Sequence, residues 1–127
     1  AGTGKTYLSM ALALEEVLEN QEYTKLIIIR SAVQSREQGF MPGSLNEKMG
    51  YYETPYMDIV NDLFGRGDAY QILKQKAMLQ FMSTSFVRGL TFDNAIIIVD
   101  ECQNMTYQEL DTVKTRVGES SKIIFCG

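Results

Sequence analysis

The chain opens with the glycine-rich stretch AGTGKT at residues 1–6, and a segment with helical periodicity follows it directly. Between residues 7 and 18, apolar side chains recur at the i, i+3, i+4, i+7 spacing, which predicts an amphipathic helix starting at the turn. The combination matches the end of the pattern G-x-x-x-x-G-K-[ST], a phosphate loop that opens a helix. This feature restricts the fold to architectures in which a strand, this loop and a helix follow one another.

A phosphate loop gives each of its residues a chemical task. Its backbone N–H groups surround the β-phosphate of a nucleotide, its lysine reaches the β and γ oxygens, and its hydroxyl binds Mg²⁺. We therefore predict that Lys5 also acts in catalysis and that Thr6 is a metal ligand. The alternative is a glycine-rich turn before an ordinary helix. It is less favoured because a lysine between glycine and threonine would have no role in packing. The predicted nucleotide-binding residues are Gly2, Thr3, Gly4, Lys5, Thr6 and Tyr7.

A second polar site is predicted after the most apolar segment of the chain. Residues 95–99 read AIIIV and are followed by Asp100 and Glu101. A carboxylate at the carboxyl end of a buried strand can hold Mg²⁺ beside a phosphate loop, and the next carboxylate can take a proton from the attacking water. Asp100 is thus the predicted metal residue and Glu101 the predicted catalytic base, with a solvated strand end as the alternative. Gln103 is predicted to sense the γ-phosphate through its amide, whereas Asn104 is expected to cap a turn.

The rest of the chain alternates between strand and helix patterns, which predicts an α/β fold with a mainly parallel sheet between helices. The apolar stripe of the first helix is predicted to include Leu18, and that of the second to include Phe64. Residues 31–50 lack periodicity and predict a long loop with a short helix at its end. Strands are predicted at 25–30, within 80–87, at 95–99 and at 122–126. Helices are predicted at 45–49, from Pro55 onward with Thr54 as the cap, and at 69–79 with Ala77 facing inward. A last helix is predicted from the capping box at Thr106 to Gly118.

Size and composition limit the classes of protein that remain. With 127 residues and 45% hydrophobic content, the chain forms one domain at most and can build a core. Because the opening glycine and feeding strand of the loop would precede Ala1, residues 1–127 are expected to be a single, partial ATPase domain, truncated at both ends. No apolar run reaches the length of a membrane span. Cys102 and Cys126, without histidine, argue against structural zinc and favour a reducing compartment, with a disulfide as the minor alternative.

A net charge of −4 disfavours nucleic-acid binding over the whole surface, although a local groove remains compatible with it. Three arginines are candidates for contacts with phosphate or nucleic acid, and any one of them could act on the γ-phosphate as an arginine finger. Three tyrosines are candidates for stacking on bases. Most surface arginines contact neither phosphate nor nucleic acid. Tyrosines at helical spacing are more often part of the core. These candidates are Arg30, Arg88, Arg116, Tyr51, Tyr52 and Tyr56.

An ordered set of motifs resembles the PhoH family of ATPases, which occur in bacteria and bacteriophages. The set comprises AGTGKT at 1–6, FMPG at 40–43, FVRGLTF at 86–92, IIVDECQN at 97–104, TRVG at 115–118 and SK at 121–122. It spans nearly the whole chain and is far more specific than the phosphate loop alone. The chain departs from the family pattern at Ser31 instead of proline, at the SREQ segment 35–38 and at Cys102 instead of alanine.

The resemblance implies a P-loop NTPase three-layer sandwich akin to the ATPase core of superfamily-one helicases, with ATP and Mg²⁺ as ligands. It carries Lys5 and Thr6 over as phosphate and metal residues, and Asp100 and Glu101 as the magnesium and catalytic carboxylates. It also implies that Gln103 links the γ-phosphate to motion. Family members are associated with RNA unwinding when joined to a nuclease domain, which implies RNA or single-stranded DNA as a partner.

Two functions from different classes are therefore weighed, and a third is less favoured. The first is an ATPase whose turnover remodels single-stranded nucleic acid, in the cytoplasm of a bacterium or a phage-infected host. A motor of this kind needs an arginine finger from elsewhere, and a homo-oligomer is the simplest source. The second is a regulatory switch that binds ATP and hydrolyses it slowly or not at all. Glu101 argues against this function, because a protein that only binds ATP needs no catalytic base. A small-molecule kinase would more often carry an arginine-rich lid, and the sequence contains no arginine cluster.

Overall fold

Four runs of apolar residues form a parallel sheet in the computed structural model, which describes residues 3–19, 23–31, 45–87, 90–118 and 120–127. Within these ranges the sheet has the strand order β2-β1-β3-β4, and every neighbouring pair is parallel. The predicted α/β class with a mainly parallel sheet is therefore confirmed. The strands are β1 Lys25–Arg30, β2 Leu79–Ser83, β3 Ala95–Val99 and β4 Lys122–Phe125.

Helices cover both faces of this sheet. The alternating side chains of β1 and β3 divide between two apolar clusters, one against α1, α2 and α3 and the other against α4 and α5. The central strands are buried on both sides, and for this reason their sequences are continuous apolar runs rather than alternating ones. The helices are α1 Thr3–Glu19, α2 Leu45–Phe64, α3 Ala69–Gln75, α4 Thr84–Val87 and α5 Tyr107–Arg116.

The second helix differs from the prediction, because it is one element of 20 residues with Pro55 in its interior. The predicted helix start at Pro55, with Thr54 as its cap, is wrong; the Thr54 hydroxyl instead donates back to the Gly50 carbonyl oxygen at 3.4 Å. Tyr52 before the proline and Tyr56 after it are both buried, at 7% and 1% exposure. Burial of this shared face stabilises a helical turn that the proline disfavours.

Several smaller expectations about burial and element ends are also wrong. Leu18 and Phe64 are 45% and 40% exposed, because each lies at the margin of its helix's buried stripe. The helix α3 ends at Gln75, since Ala77 adopts a left-handed backbone with φ of 59° and its N–H bonds to the Lys74 carbonyl oxygen. Ala77 is exposed rather than inward, and β2 begins two residues later at Leu79.

The capping box at the start of α5 is confirmed. The Thr106 hydroxyl accepts from the Glu109 backbone N–H, and the Glu109 carboxylate accepts from the Thr106 backbone N–H. The strand β4 is less buried than expected, with Lys122 and Phe125 exposed at its two ends. It is an edge strand among the described residues.

The two cysteines lie close along the backbone but on opposite faces of the sheet. The Cys102 N–H donates to the Cys126 carbonyl oxygen at 2.9 Å. Cys126 packs in the cluster beside α1, whereas Cys102 packs against the cluster beside α5. Both are free thiols, so the minor expectation of a disulfide is not met in this structure.

Replacing Gly118 with alanine is expected to lower the free energy of unfolding by about 1–3 kcal/mol, the usual range for overpacking. The Gly118 N–H donates to the Phe92 carbonyl oxygen at 2.7 Å, so the two backbones are already in contact. A Cβ at this position would lie 2.8 Å from that oxygen and 2.0 Å from Asp93 Oδ1. Urea denaturation followed by circular dichroism measures the difference.

Gly67→Ala is the matched control for this prediction. A Cβ built at Gly67 meets no atom within 4 Å, so the same chemical change is made in open space. Equal unfolding free energies for the two variants would show that the contact between residues 92–93 and 118 is not tight in solution.

Candidate functional site

The carboxyl ends of the four parallel strands bring polar residues to one edge of the sheet. Arg30 ends β1, Ser83 ends β2, and Asp100 follows β3 directly. The Asp100 N–H donates to the Ile29 carbonyl oxygen at 3.0 Å, which fixes this carboxylate beside the end of β1. Ligands of open α/β sheets bind at this edge, because the strands stop and loops diverge there.

The two halves of the predicted site meet at this edge. The Thr6 hydroxyl donates to Asp100 Oδ1 at 3.2 Å across 94 residues of sequence. Both side chains are buried, at 8% exposure for Thr6 and 4% for Asp100. The structure thus brings together the two residues predicted as metal ligands.

The first turn of α1 carries the other predicted phosphate-loop residues. The helix begins at Thr3, so Gly4 and Lys5 lie in its first turn, where backbone N–H groups lack partners within the helix. Lys5 is exposed, and no carboxylate among the described residues forms an ion pair with it. Gly2 lies outside the described residues. The described part of the turn presents a positive side chain and the positive end of a helix dipole.

Tyr7, like Thr6, has a hydrogen-bond partner outside the turn. Its hydroxyl donates to Asp62 Oδ2 on α2 at 2.6 Å. This hydrogen bond to a carboxylate is the main cause that raises the pKa of Tyr7 above its ordinary value. Tyr7 therefore connects α1 to α2, and its contact with a nucleotide stays a prediction.

The predicted base Glu101 lies in a tight turn between β3 and α5. Its backbone is left-handed, with φ of 53° and ψ of 40°, and it precedes a short 3₁₀ turn at Cys102–Asn104. Its carboxylate accepts a hydrogen bond from Gln103 Nε2 at 2.6 Å. The Asn104 backbone N–H closes the turn by donating to the Glu101 carbonyl oxygen at 2.9 Å. The structure therefore places Gln103 against the candidate base.

Tyr56 contacts the site in a way that the sequence did not reveal. Its hydroxyl donates to Asp100 Oδ2 at 2.5 Å, so each oxygen of this carboxylate accepts from one hydroxyl. Burial, and then the negative charge of Asp100, raise the pKa of Tyr56 well above its ordinary value, while Arg30 opposes the shift. A tyrosine hydroxyl with its ordinary pKa is already protonated at neutral pH, and this shift only reinforces that state. The sequence had offered two roles for Tyr56, a core residue or a ring that stacks on a base, and neither predicts this contact.

Arg30 extends this cluster towards the start of α2. Its guanidinium carbon lies 4.6 Å from the centre of the Tyr52 ring, a cation–π distance. The prediction that the clustered tyrosines are core holds for Tyr52 and Tyr56, whereas Tyr51 is 65% exposed. Arg30 is therefore engaged by the tyrosines of α2, and Tyr51 stays a candidate for stacking on a base.

Glu109 is a second residue whose position the sequence did not predict. Beyond its part in the capping box, its carboxylate accepts from the hydroxyls of Ser31, at 2.8 Å and 3.0 Å, and of Thr84. These hydroxyls follow the ends of β1 and β2, so Glu109 links two strand ends to α5. The capping box signal was visible in the sequence, but it predicted only the local contact.

Among the described residues, no hydrogen bond or ion pair joins either of the other two arginine candidates to Asp100. Arg88 and the FMPG segment at 40–43 lie outside the described residues, as do residues 35–38. Arg116 ends α5 with a buried Nε that has no hydrogen-bond partner among the described residues. An arginine-finger role for any of the three stays a prediction.

The oxygen atoms at Asp100 and Thr6 fit Mg²⁺ in type and number. Mg²⁺ prefers hard oxygen ligands and is commonly bound by one or two carboxylates together with substrate phosphates and water. Within the described residues no group of three or more His, Cys, Asp or Glu side chains could hold a metal ion alone. A magnesium ion here would therefore need further oxygen ligands, from phosphate groups or water.

Taken together, the parallel sheet, the phosphate-loop turn and the buried Asp100 place the chain in the class of α/β proteins with a P-loop NTPase-like fold. The chain belongs to the family described as PhoH-like protein, whose sequence model matches residues 1–127. Membership in this family is consistent with the P-loop NTPase-like fold of this chain.

Curated relatives agree with this assignment over the whole chain. A PhoH-like protein of Bacillus subtilis is 38% identical and one of Mycobacterium leprae is 37% identical, each over 100% of this chain. Protein PhoH2 of Thermobispora bispora is 34% identical over 98% of the chain. The chain spans 40%, 36% and 29% of the lengths of these three proteins, respectively. None of the helices in the described ranges is long and apolar enough to cross a membrane.

Proposed function

We propose that this chain hydrolyses ATP with Mg²⁺ and couples turnover to the remodelling of RNA or other single-stranded nucleic acid. The observation that carries the proposal is the 3.2 Å hydrogen bond from the Thr6 hydroxyl to Asp100. It joins the start of the phosphate-loop helix to the end of the central strand, the arrangement that hydrolysis of a nucleoside triphosphate requires. Residues 1–127 are proposed to act as one ATPase domain.

The phosphates are proposed to bind at the start of α1. Lys5 neutralises the β and γ oxygens, and the free N–H groups of the first turn donate to them. Gly2 and Gly4 allow the backbone to approach the phosphates, while Thr3 and Tyr7 complete the predicted binding set. Lys5 has no competing carboxylate among the described residues, so it is available to a phosphate group.

The metal and the attacking water are proposed to bind between α1 and β3. Thr6 and Asp100 would hold Mg²⁺, which supplies charge neutralisation on the phosphate oxygens. Glu101 accepts the proton of the attacking water as the γ-phosphate leaves. The Gln103 amide, which donates to Glu101 at 2.6 Å, orients this carboxylate and can exchange its contact for a phosphate oxygen.

Coupling to nucleic acid is supported by the chemistry at the start of α2. The exposed Tyr51 ring can stack on a base, and Arg30 lies nearby against Tyr52. With a net charge of −4, such binding would follow a local groove rather than the whole surface. A second copy of the chain is the simplest proposed source of an arginine finger, and the bacterial cytoplasm is the proposed location.

Steady-state ATP hydrolysis, measured with and without single-stranded RNA, tests this proposal. We expect Mg²⁺-dependent turnover that increases when RNA is added, and no turnover by Asp100→Asn because the metal carboxylate is lost. Asp111→Asn makes the same change at an exposed position of α5 and is expected to behave as the wild type. Thermal unfolding of all three proteins shows whether Asp100→Asn remains folded.

The outcomes separate the two parts of the proposal. If neither RNA nor single-stranded DNA changes the rate of ATP hydrolysis, the chain is an ATPase and the proposed coupling to nucleic acid is overturned. A wild type that binds ATP but turns it over no faster than Asp100→Asn would overturn hydrolysis and identify a nucleotide-dependent switch.

A further inference from the structure

Asp100 is held by hydroxyl groups from two different helices. Thr6 on α1 donates to Oδ1, and Tyr56 on α2 donates to Oδ2 at 2.5 Å. The carboxylate is only 4% exposed, so solvent contributes little to its orientation. The direction of Asp100 is therefore determined by these two donors and by its own backbone.

The Tyr56 donor is itself held in one position. Its side chain is 1% exposed, and its ring packs against Phe81 of β2 with centroids 5.5 Å apart. A tyrosine ring has few rotatable bonds, so a packed ring fixes the place of its hydroxyl. One helical turn earlier, Tyr52 packs against Arg30 at the end of β1. The packing of α2 on the sheet thus sets where Oδ2 of Asp100 is bound.

We infer that Tyr56 is a positioning residue of the metal site, whose hydroxyl fixes Asp100 Oδ2 so that Oδ1 faces Thr6. Groups that orient a ligating carboxylate tune metal affinity without touching the metal. Tyr56 is suited to this task because it contacts the carboxylate oxygen that Thr6 leaves open. The inference rests on the proposed function, since it takes Asp100 and Thr6 as the metal ligands.

The affinity for Mn²⁺, used as a spectroscopic substitute for Mg²⁺, tests this inference. Mn²⁺ is titrated by electron paramagnetic resonance into the full protein in the presence of a non-hydrolysable ATP analogue. We expect Tyr56→Phe to weaken Mn²⁺ binding by about 10-fold or more, the usual effect of losing a partner that orients a metal ligand. Affinity for the analogue without metal should stay unchanged, because among the described residues no hydrogen bond joins Tyr56 to Gly4, Lys5 or Thr6 of the phosphate loop.

Tyr70→Phe is the matched control. Tyr70 is also fully buried in the same apolar cluster, and its hydroxyl also donates to a carboxylate, that of Glu53. Asp100 is not among its partners, so this variant loses a buried hydroxyl without touching the metal site. We expect Mn²⁺ affinity like the wild type from Tyr70→Phe, with any loss of unfolding free energy comparable to that of Tyr56→Phe.

Each result has a distinct meaning. Wild-type Mn²⁺ affinity in a folded Tyr56→Phe, or an equal loss in Tyr70→Phe, would overturn the positioning role. If the wild type binds Mn²⁺ with the analogue but hydrolyses no ATP, hydrolysis is lost as the proposed function while the inference can still stand. If the wild type binds no Mn²⁺ with the analogue, both are overturned.

Discussion

Replacing Glu101 with glutamine is expected to reduce ATP hydrolysis by about 10²–10⁴-fold, the range that general base catalysis contributes. Glutamine keeps the size of the side chain and an oxygen that can accept from Gln103 Nε2, now 2.6 Å from the Glu101 carboxylate. It cannot accept the proton of the attacking water. Hydrolysis should therefore fall while ATP binding, measured with a fluorescent nucleotide, remains at the wild-type level.

A second glutamate supplies the comparison for this variant. Glu15 is exposed on α1, away from the carboxyl edge of the sheet, so Glu15→Gln removes the same charge without touching the site. We expect unchanged turnover from Glu15→Gln. Turnover by Glu101→Gln at the wild-type rate would show that water is activated by another group.

Replacing Lys5 with alanine is expected to weaken ATP binding by about 10- to 100-fold, because a hydrogen bond to a charged group contributes about 1.5–3 kcal/mol. Hydrolysis should be lost as well, since the γ-phosphate loses the cation that neutralises its developing charge. The Lys5 side chain is exposed in the first turn of α1, so its removal leaves the core intact. Titration with a fluorescent ATP analogue and a hydrolysis assay measure the two effects.

Lys76→Ala separates the local effect from the change in net charge. Lys76 is exposed just after α3, and its backbone N–H rather than its ammonium group closes the helix. Both variants lower the net charge by one. If Lys76→Ala weakened ATP binding as much as Lys5→Ala, long-range electrostatics would explain the result and the phosphate loop would lose its support.

The fold was predictable because its signals are local and periodic. The isoleucine runs of β1 and β3, separated by helical patterns, permit little other than a buried parallel sheet. The continuation of α2 through Pro55 was not predictable, because burial of Tyr52 and Tyr56 against the sheet overrides the local preference of proline. Tertiary packing of this kind is absent from the spacing of residues along one helix.

The site was predictable to a similar degree. Thr6 and Asp100 follow from short motifs whose chemistry requires them to meet, and the structure places them in hydrogen-bond contact. Tyr56 and Glu109 were missed because no motif connects them to their partners Asp100 and Ser31, which are 44 and 78 residues away. A buried tyrosine that donates to a carboxylate has the same apolar spacing as one that only fills the core.

The left-handed backbone of Glu101 has an evolutionary consequence. An L-residue in this conformation costs about 1–2 kcal/mol, a cost that glycine avoids. With φ at 53°, selection for folding stability would oppose selection for the proposed proton acceptor at this position. A descendant that retained nucleotide binding but lost hydrolysis would be released from this conflict and would drift towards glycine or asparagine there. Under the proposed function, the residue that follows the strand-end aspartate would therefore differ between lineages that hydrolyse ATP and lineages that only bind it.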